Sequence, residues 1–117
     1  MNIRRANEKD IPRLMELLEQ VLQIHADIRP DILFRERQSI QMMNLPFTSL
    51  FIDDLCVDAK TRGQHVGESL FEYVKSEAER LGCYEVTLNV WSGNTSAERF
   101  YEKMGLKTNE RQMEYIL

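Results

Sequence analysis

The hexapeptide Arg62-Gly63-Gln64-His65-Val66-Gly67 has the residue types needed to approach an anion. Gly63 and Gly67 have no side chain, so backbone there can come close to a phosphate. The amides of such a loop, and of a helical turn that follows it, point outward and add to the helix dipole in favouring negative charge. Arg62 supplies a cation, and pyrophosphate is the natural guest. The run lacks the Gly-Lys-Ser/Thr ending of a P-loop and the spaced glycines of a dinucleotide fold. Taken alone, a plain tight turn between strand and helix is an equal reading. A second group lies in residues 94–105, NTSAERFYEKMG. Asn94 opens a helix there, with Phe100 and Met104 on its inner face. Tyr101 shares that face, either as a core residue with a paired hydroxyl or as a functional one.

Several elements must hold these residues in place. Residues 49–57 form an apolar strand with Asp53 and Asp54 in its middle. Residues 58–67 form a charged turn. From Glu68 the pattern turns helical, with Leu70, Val74, Ala78 and Leu81 on one face, and Gly82 ends the helix. Residues 84–91 alternate, with Val86, Leu88 and Val90 against Glu85, Thr87 and Asn89, as a strand does. Thr95 and Glu98 have capping-box spacing for the next helix, which Gly105 stops. A strand–helix–strand unit of this length implies a parallel crossover. Residues 106–108 and 112–116 read as two final strands around Asn109-Glu110.

Upstream, residues 2–5 make a short strand around Ile3, and Asn7 caps a helix that has Pro12 in its first turns. Ile11, Leu14, Leu18, Val21 and Leu22 mark its inner stripe, and Arg29-Pro30-Asp31 ends it. Residues 32–47 read as one short helix and a loop, broken by Pro46. His25 reads as a surface residue near a helix end, and Tyr84 and Trp91 as packing residues. Lys103 is an exposed helix lysine within reach of a phosphate.

Composition narrows the function classes. The 117 residues fit one domain, residues 1–117, and a 43% hydrophobic, 29% charged composition argues against disorder along the chain. A net charge of -4 disfavours a phosphate backbone as main partner and tolerates a cationic substrate such as an amine. Cys56 and Cys83 lack metal-ligand spacing and read as reduced thiols. With no apolar signal core and no long apolar run, the expectation is a cytoplasmic protein without a membrane partner.

Together, strand–RGQHVG–helix followed by strand–N-x-x-A-x-x-F-Y-x-K-x-G closely resembles the GCN5-related N-acetyltransferases, the GNAT superfamily, over about residues 50–106. The resemblance implies an α/β (α+β) fold: a mixed sheet flanked by helices that splays between two parallel strands, with acetyl-CoA in the opening. It implies N-acetyl transfer from acetyl-CoA to a primary amine, by direct attack in a ternary complex. The family's pyrophosphate motif falls on Arg62, His65 and Gly67, with Gly63, Gln64 and Val66 between them. His65 stands where the family usually has a glycine; its backbone N–H can still donate, so pyrophosphate binding survives if the backbone there has ordinary helix-entry geometry. Leu55, Cys56 and Val57 would pair with the pantetheine arm as a strand pairs with a sheet edge. Asn94 would contact the cofactor arm, and Tyr101 would protonate the departing thiolate. An alkylamine must lose a proton to attack, and a carboxylate can take it. Neighbouring strand residues face opposite ways, and the resemblance favours Asp53 over Asp54 as that base. A non-catalytic acyl-CoA-binding or protein-interaction module is the alternative.

The family's usual second and third strands have no counterpart in residues 32–48. Either the first strand pairs directly with residues 49–57, or a second chain supplies the edge, or the chain is a natural or engineered deletion that retains CoA binding and loses efficient catalysis. The exposed edge favours a homodimer.

Overall fold

In a computed structural model of the chain, the described residues are 2–28 and 48–117. The expected elements within residues 32–47 lie outside them. Asn7 starts the first helical segment through a reciprocal cap. Its side-chain oxygen accepts from the Lys9 amide at 2.9 Å, and the Asp10 carboxylate accepts from the Asn7 amide at 2.8 Å. Arg4 adds a two-pronged bond to Asp10, 2.7 Å on each side. The Arg4 guanidinium and the Asn7 amide hold the Asp10 carboxyl at about 2, below its usual range. A short 3-10 turn, Glu8–Asp10, then runs into helix α1, Ile11–Ile28. Residues 2–5 form no strand.

The inner face of α1 differs from the expected one. Leu17, Val21, Ile24 and Ile28 are half-buried, whereas Ile11, Leu14, Leu18 and Leu22 are exposed. Both sets keep a helical repeat, so periodicity alone could not choose between them. The helix carries two apolar stripes and packs by one. Cys56 donates its thiol to the Leu17 carbonyl at 3.3 Å, Gln20 accepts from the Ala59 amide at 3.1 Å, and Arg13 pairs with Asp58. Near the other end of α1, His25 stacks on Trp91 with ring centroids 4.9 Å apart, so it is a packing residue and not a surface one.

Strand β1, Ser49–Ile52, pairs in parallel with strand β2, Glu85–Leu88, in the register Ser49↔Glu85 to Ile52↔Leu88. The parallel crossover was expected. The strands are shorter than expected, because β1 ends before Asp53 and β2 before Asn89. Asp53 and Asp54 are both exposed, and the chain bends at Asp53. A ladder through two adjacent carboxylates would place one of them over the apolar face, at a desolvation cost. Among the described residues, no backbone hydrogen bond joins residues 53–57 to 89–91. The sheet therefore opens there, with α1 touching both diverging segments.

Helix α2, Val66–Arg80, connects the strands and supplies the buried core residues Phe71, 2% exposed, and Ala78, 4% exposed. Their spacing of seven puts them on one side of the helix. Leu81, expected on that face, is exposed. Gly82 adopts φ +72 and closes α2, with Cys83 N–H on the Ala78 carbonyl and Gly82 N–H on that of Glu79. Helix α3, Thr95–Lys103, ends the same way at Gly105. Its cap is Asn94, whose side-chain oxygen accepts from the Ala97 amide at 3.3 Å; Thr95 is already helical. After Leu106 the chain takes no regular structure, so the two final strands expected at 106–108 and 112–116 are not formed. Cys56 and Cys83 are free thiols. Among the described residues, no helix is long and apolar enough to cross a membrane, and no cluster of His, Cys, Asp and Glu could hold a metal ion.

Candidate active site

The site is assembled around the start of α2. Asp58 shapes the chain leading into it. Its side chain accepts from the Lys60 amide at 3.0 Å and its carbonyl from the Thr61 amide at 2.9 Å, closing the 3-10 turn Ala59–Thr61. The Lys60 amide and the Arg13 guanidinium hold the Asp58 carboxyl at about 2. Arg62 then runs extended, Gly63 turns at φ +84, and His65 adopts φ 59, ψ 22 before the helix begins.

His65 thus departs from the expected helix-entry backbone. It holds the left-handed conformation that glycine takes most easily, at a cost of about 1–2 kcal/mol for a side-chain-bearing residue. The loop keeps the path a glycine would give it, with an imidazole added. The two glycines serve different purposes. Gly63 has open space around it and is needed for its positive φ. Gly67 has ordinary backbone, but a Cβ there would sit 3.3 Å from Phe100 Cζ and 3.6 Å from Val57 Cγ2. It lets α3 and the segment after β1 close onto the start of α2.

The two helix starts also differ. The amides of α3 are capped by Asn94, whereas His65 makes no side-chain cap on α2. Among the described residues, nothing accepts from the amides of Val66, Gly67 or Glu68. Such amides at a helix start are ready donors to an anion. Glu68 would oppose an anion there, but its carboxylate is engaged. Lys103 of α3 bonds it at 2.6 Å and His65 Nδ1 lies at 3.2 Å; Lys103, then His65, hold its carboxyl below the usual range. This linkage, across 35 residues, left no signal in the sequence, where Lys103 read as a solvated lysine or one that reaches a phosphate.

Leu55, Cys56 and Val57 are half-buried, and among the described residues their backbone groups make no backbone hydrogen bond. That leaves an edge free for an extended ligand. Burial pushes the Cys56 thiol up, which disfavours a thiolate nucleophile. Tyr101 lies on α3 with its ring edge-on to Phe100, centroids 5.2 Å apart. Burial first, and the Asp54 carboxylate second, raise its phenol above the ordinary value, so it stays protonated and able to donate. Asp54, and not Asp53, is the carboxylate that acts on Tyr101. Asn94 is half-buried and commits its oxygen to the α3 cap. Two shallow, open surface grooves, of about 320 and 350 Å³, are not lined by Asp53, Asn94 or Tyr101.

A loop of this shape, set before an uncapped helix and beside two parallel strands that part, defines an α/β fold with an anion-binding helix start. The family model for the acetyltransferase (GNAT) family matches residues 32–106, and the chain belongs to that family. Over 62 residues it is 34% identical to a glucosamine 6-phosphate N-acetyltransferase of Arabidopsis thaliana, covering 53% of this chain and 40% of that protein. Over 64 residues it is 39% identical to the peptidyl-lysine N-acetyltransferase YjaB of Salmonella typhimurium, covering 55% of this chain and 41% of that one. The matched stretch of the chain thus spans about two fifths of the length of these curated relatives. A solved structure, the tetramutant of BH1408 from Bacillus halodurans, matches all of both chains at a TM-score of 0.87 and 26% identity.

Proposed function

We propose that the chain transfers an acetyl group from acetyl-CoA to a primary amine by direct attack. The observation that carries this reading is the uncapped start of α2, where the amides of Val66, Gly67 and Glu68 lie behind the Arg62–His65 loop inside the GNAT match. These donors suit a pyrophosphate, and Arg62 adds charge to them. The free backbone of Leu55, Cys56 and Val57 would pair with the amide groups of the pantetheine arm. Acetyl-CoA supplies an acetyl thioester, and the residues of this chain move the protons. Tyr101, kept protonated by burial, donates to the departing thiolate. Asp53, and not the Asp54 that acts on Tyr101, takes the proton from the attacking amine.

The relatives' acceptors, a sugar phosphate amine and a peptide lysine, share a primary amine, and the acidic chain suits either. The test is thiol release from acetyl-CoA with a panel of primary amines, including glucosamine 6-phosphate and a lysine peptide. Turnover on at least one amine is expected. Cofactor binding without release on any amine would instead assign a non-catalytic acyl-CoA-binding module.

A further inference from the structure

Two helical starts in this chain carry an acid three residues after the cap, and the two acids behave differently. Asp10 follows Asn7, turns back and accepts from the Asn7 amide at 2.8 Å, so the turn Glu8–Asp10 is closed by its own carboxylate. Glu68 follows His65 at the same interval. Its Oε1 accepts from Lys103 Nζ at 2.6 Å, and its Oε2 lies 3.2 Å from His65 Nδ1. Both oxygens are engaged by side chains, and among the described residues the amides of Val66, Gly67 and Glu68 have no acceptor. Lys103 can reach this far because α3 lies close by. Phe100, one turn before it, sits 3.3 Å from the place a Cβ on Gly67 would take.

We propose that Lys103 is a positioning residue for the cofactor: it holds the Glu68 carboxylate toward α3 and so keeps the start of α2 open to the CoA diphosphate. This rests on the acetyl-CoA reading of the site. A carboxylate released at Glu68 is drawn to the helix start by the same dipole and amides that favour a phosphate. It then competes with the ligand from within the chain, and its charge repels a diphosphate brought beside it. Pairing with Lys103 removes both effects without Lys103 touching the ligand. The side chains of Lys103 and Glu68 are 68% and 32% exposed, so the pair contributes little to stability and its consequence falls on binding.

The test measures CoA affinity by calorimetry for the native chain, Lys103→Met, Glu68→Gln and the double variant. Lys103→Met should weaken CoA about tenfold while the melting temperature moves by less than about 3 °C. In the Glu68→Gln background the same change should cost less than about twofold, because the competing charge is gone. Lys103→Arg, which keeps the charge, should stay within about threefold of native. Equal losses in both backgrounds would mean that Lys103 meets the ligand itself, and would overturn the proposal, as would native affinity in Lys103→Met. A readout without CoA separates the proposal from the reading beneath it. Amide hydrogen exchange at Val66, Gly67 and Glu68 of the free protein should slow at least about threefold in Lys103→Met and recover in the double variant. A native chain that binds no CoA brings down the acetyl-CoA reading and this proposal with it. Intact CoA binding with unchanged exchange in Lys103→Met overturns the role of Lys103 alone.

Discussion

Replacing His65 separates the backbone of the phosphate loop from its side chain. His65 is the only described residue other than glycine with positive φ. Glycine there relieves about 1–2 kcal/mol of left-handed strain, while its greater freedom in the unfolded chain takes back about 0.5–1 kcal/mol. The lost contact to Glu68 is solvent-exposed and contributes little. His65→Gly should therefore be neutral to about 1.5 kcal/mol stabilising, raising the melting temperature by up to about 6 °C in a domain of this size. Because the loop path is preserved, CoA affinity should stay within about threefold of native, a difference of about 0.65 kcal/mol. Valine is the opposite probe: a β-branched residue is a genuine outlier at positive φ. His65→Val should lower stability by about 1–2 kcal/mol, or shift the loop and weaken CoA by about tenfold or more. Paired melting curves and calorimetric titrations of the three proteins read both quantities. A valine variant indistinguishable from native in both, or a glycine variant that loses CoA, would refute the argument from backbone conformation.

Other expectations rest on single contacts. Gly67→Ala should destabilise by about 0–2 kcal/mol, since overpacking against Phe100 outweighs the helix propensity gained; adding Phe100→Leu should lift the overpacking part, which a double-mutant cycle in urea would detect. Tyr101→Phe should slow acetyl transfer by about 10²-fold with CoA affinity unchanged, read by thiol release and calorimetry. Asp53→Asn should slow transfer most at low pH, where the amine needs help to deprotonate. Asp54→Asn should instead lower the Tyr101 phenol toward its ordinary value, visible by ultraviolet titration. Asp10 and Asp58 both sit at about 2 in the folded chain against 3.8 ordinarily. Depressed carboxyls stabilise the fold above about pH 4, and that stability is lost as pH falls toward about 2. Melting temperature should drop across that window, and less steeply in Asp58→Asn.

The helices were legible in the sequence because their ends are written locally. Gly82 and Gly105 sit where a left-handed residue closes a helix, and both take positive φ. The parallel pairing of β1 and β2 also followed, since the helix between them leaves few other connections. What stayed hidden depends on contacts distant in sequence. The packed face of α1 is decided by Cys56, Asp58 and Trp91, none of which its own periodicity can report. The strands stop early because two adjacent carboxylates keep their hydration, which strand propensity ignores. The loop motif located the candidate site, but the left-handed His65, the Lys103–Glu68 pair and the influence of Asp54 on Tyr101 needed coordinates. The strand pattern of residues 112–116 forms no strand among the described residues, because period-two alternation reports a face and not a partner.

The most direct probe of the account is an amide chemical-shift titration of the isotope-labelled protein with CoA. The account predicts saturable shifts largest at the amides of Gly63 to Glu68, with a second set at Leu55 to Val57. Unmoved resonances at Val66, Gly67 and Glu68 at saturating CoA would contradict it.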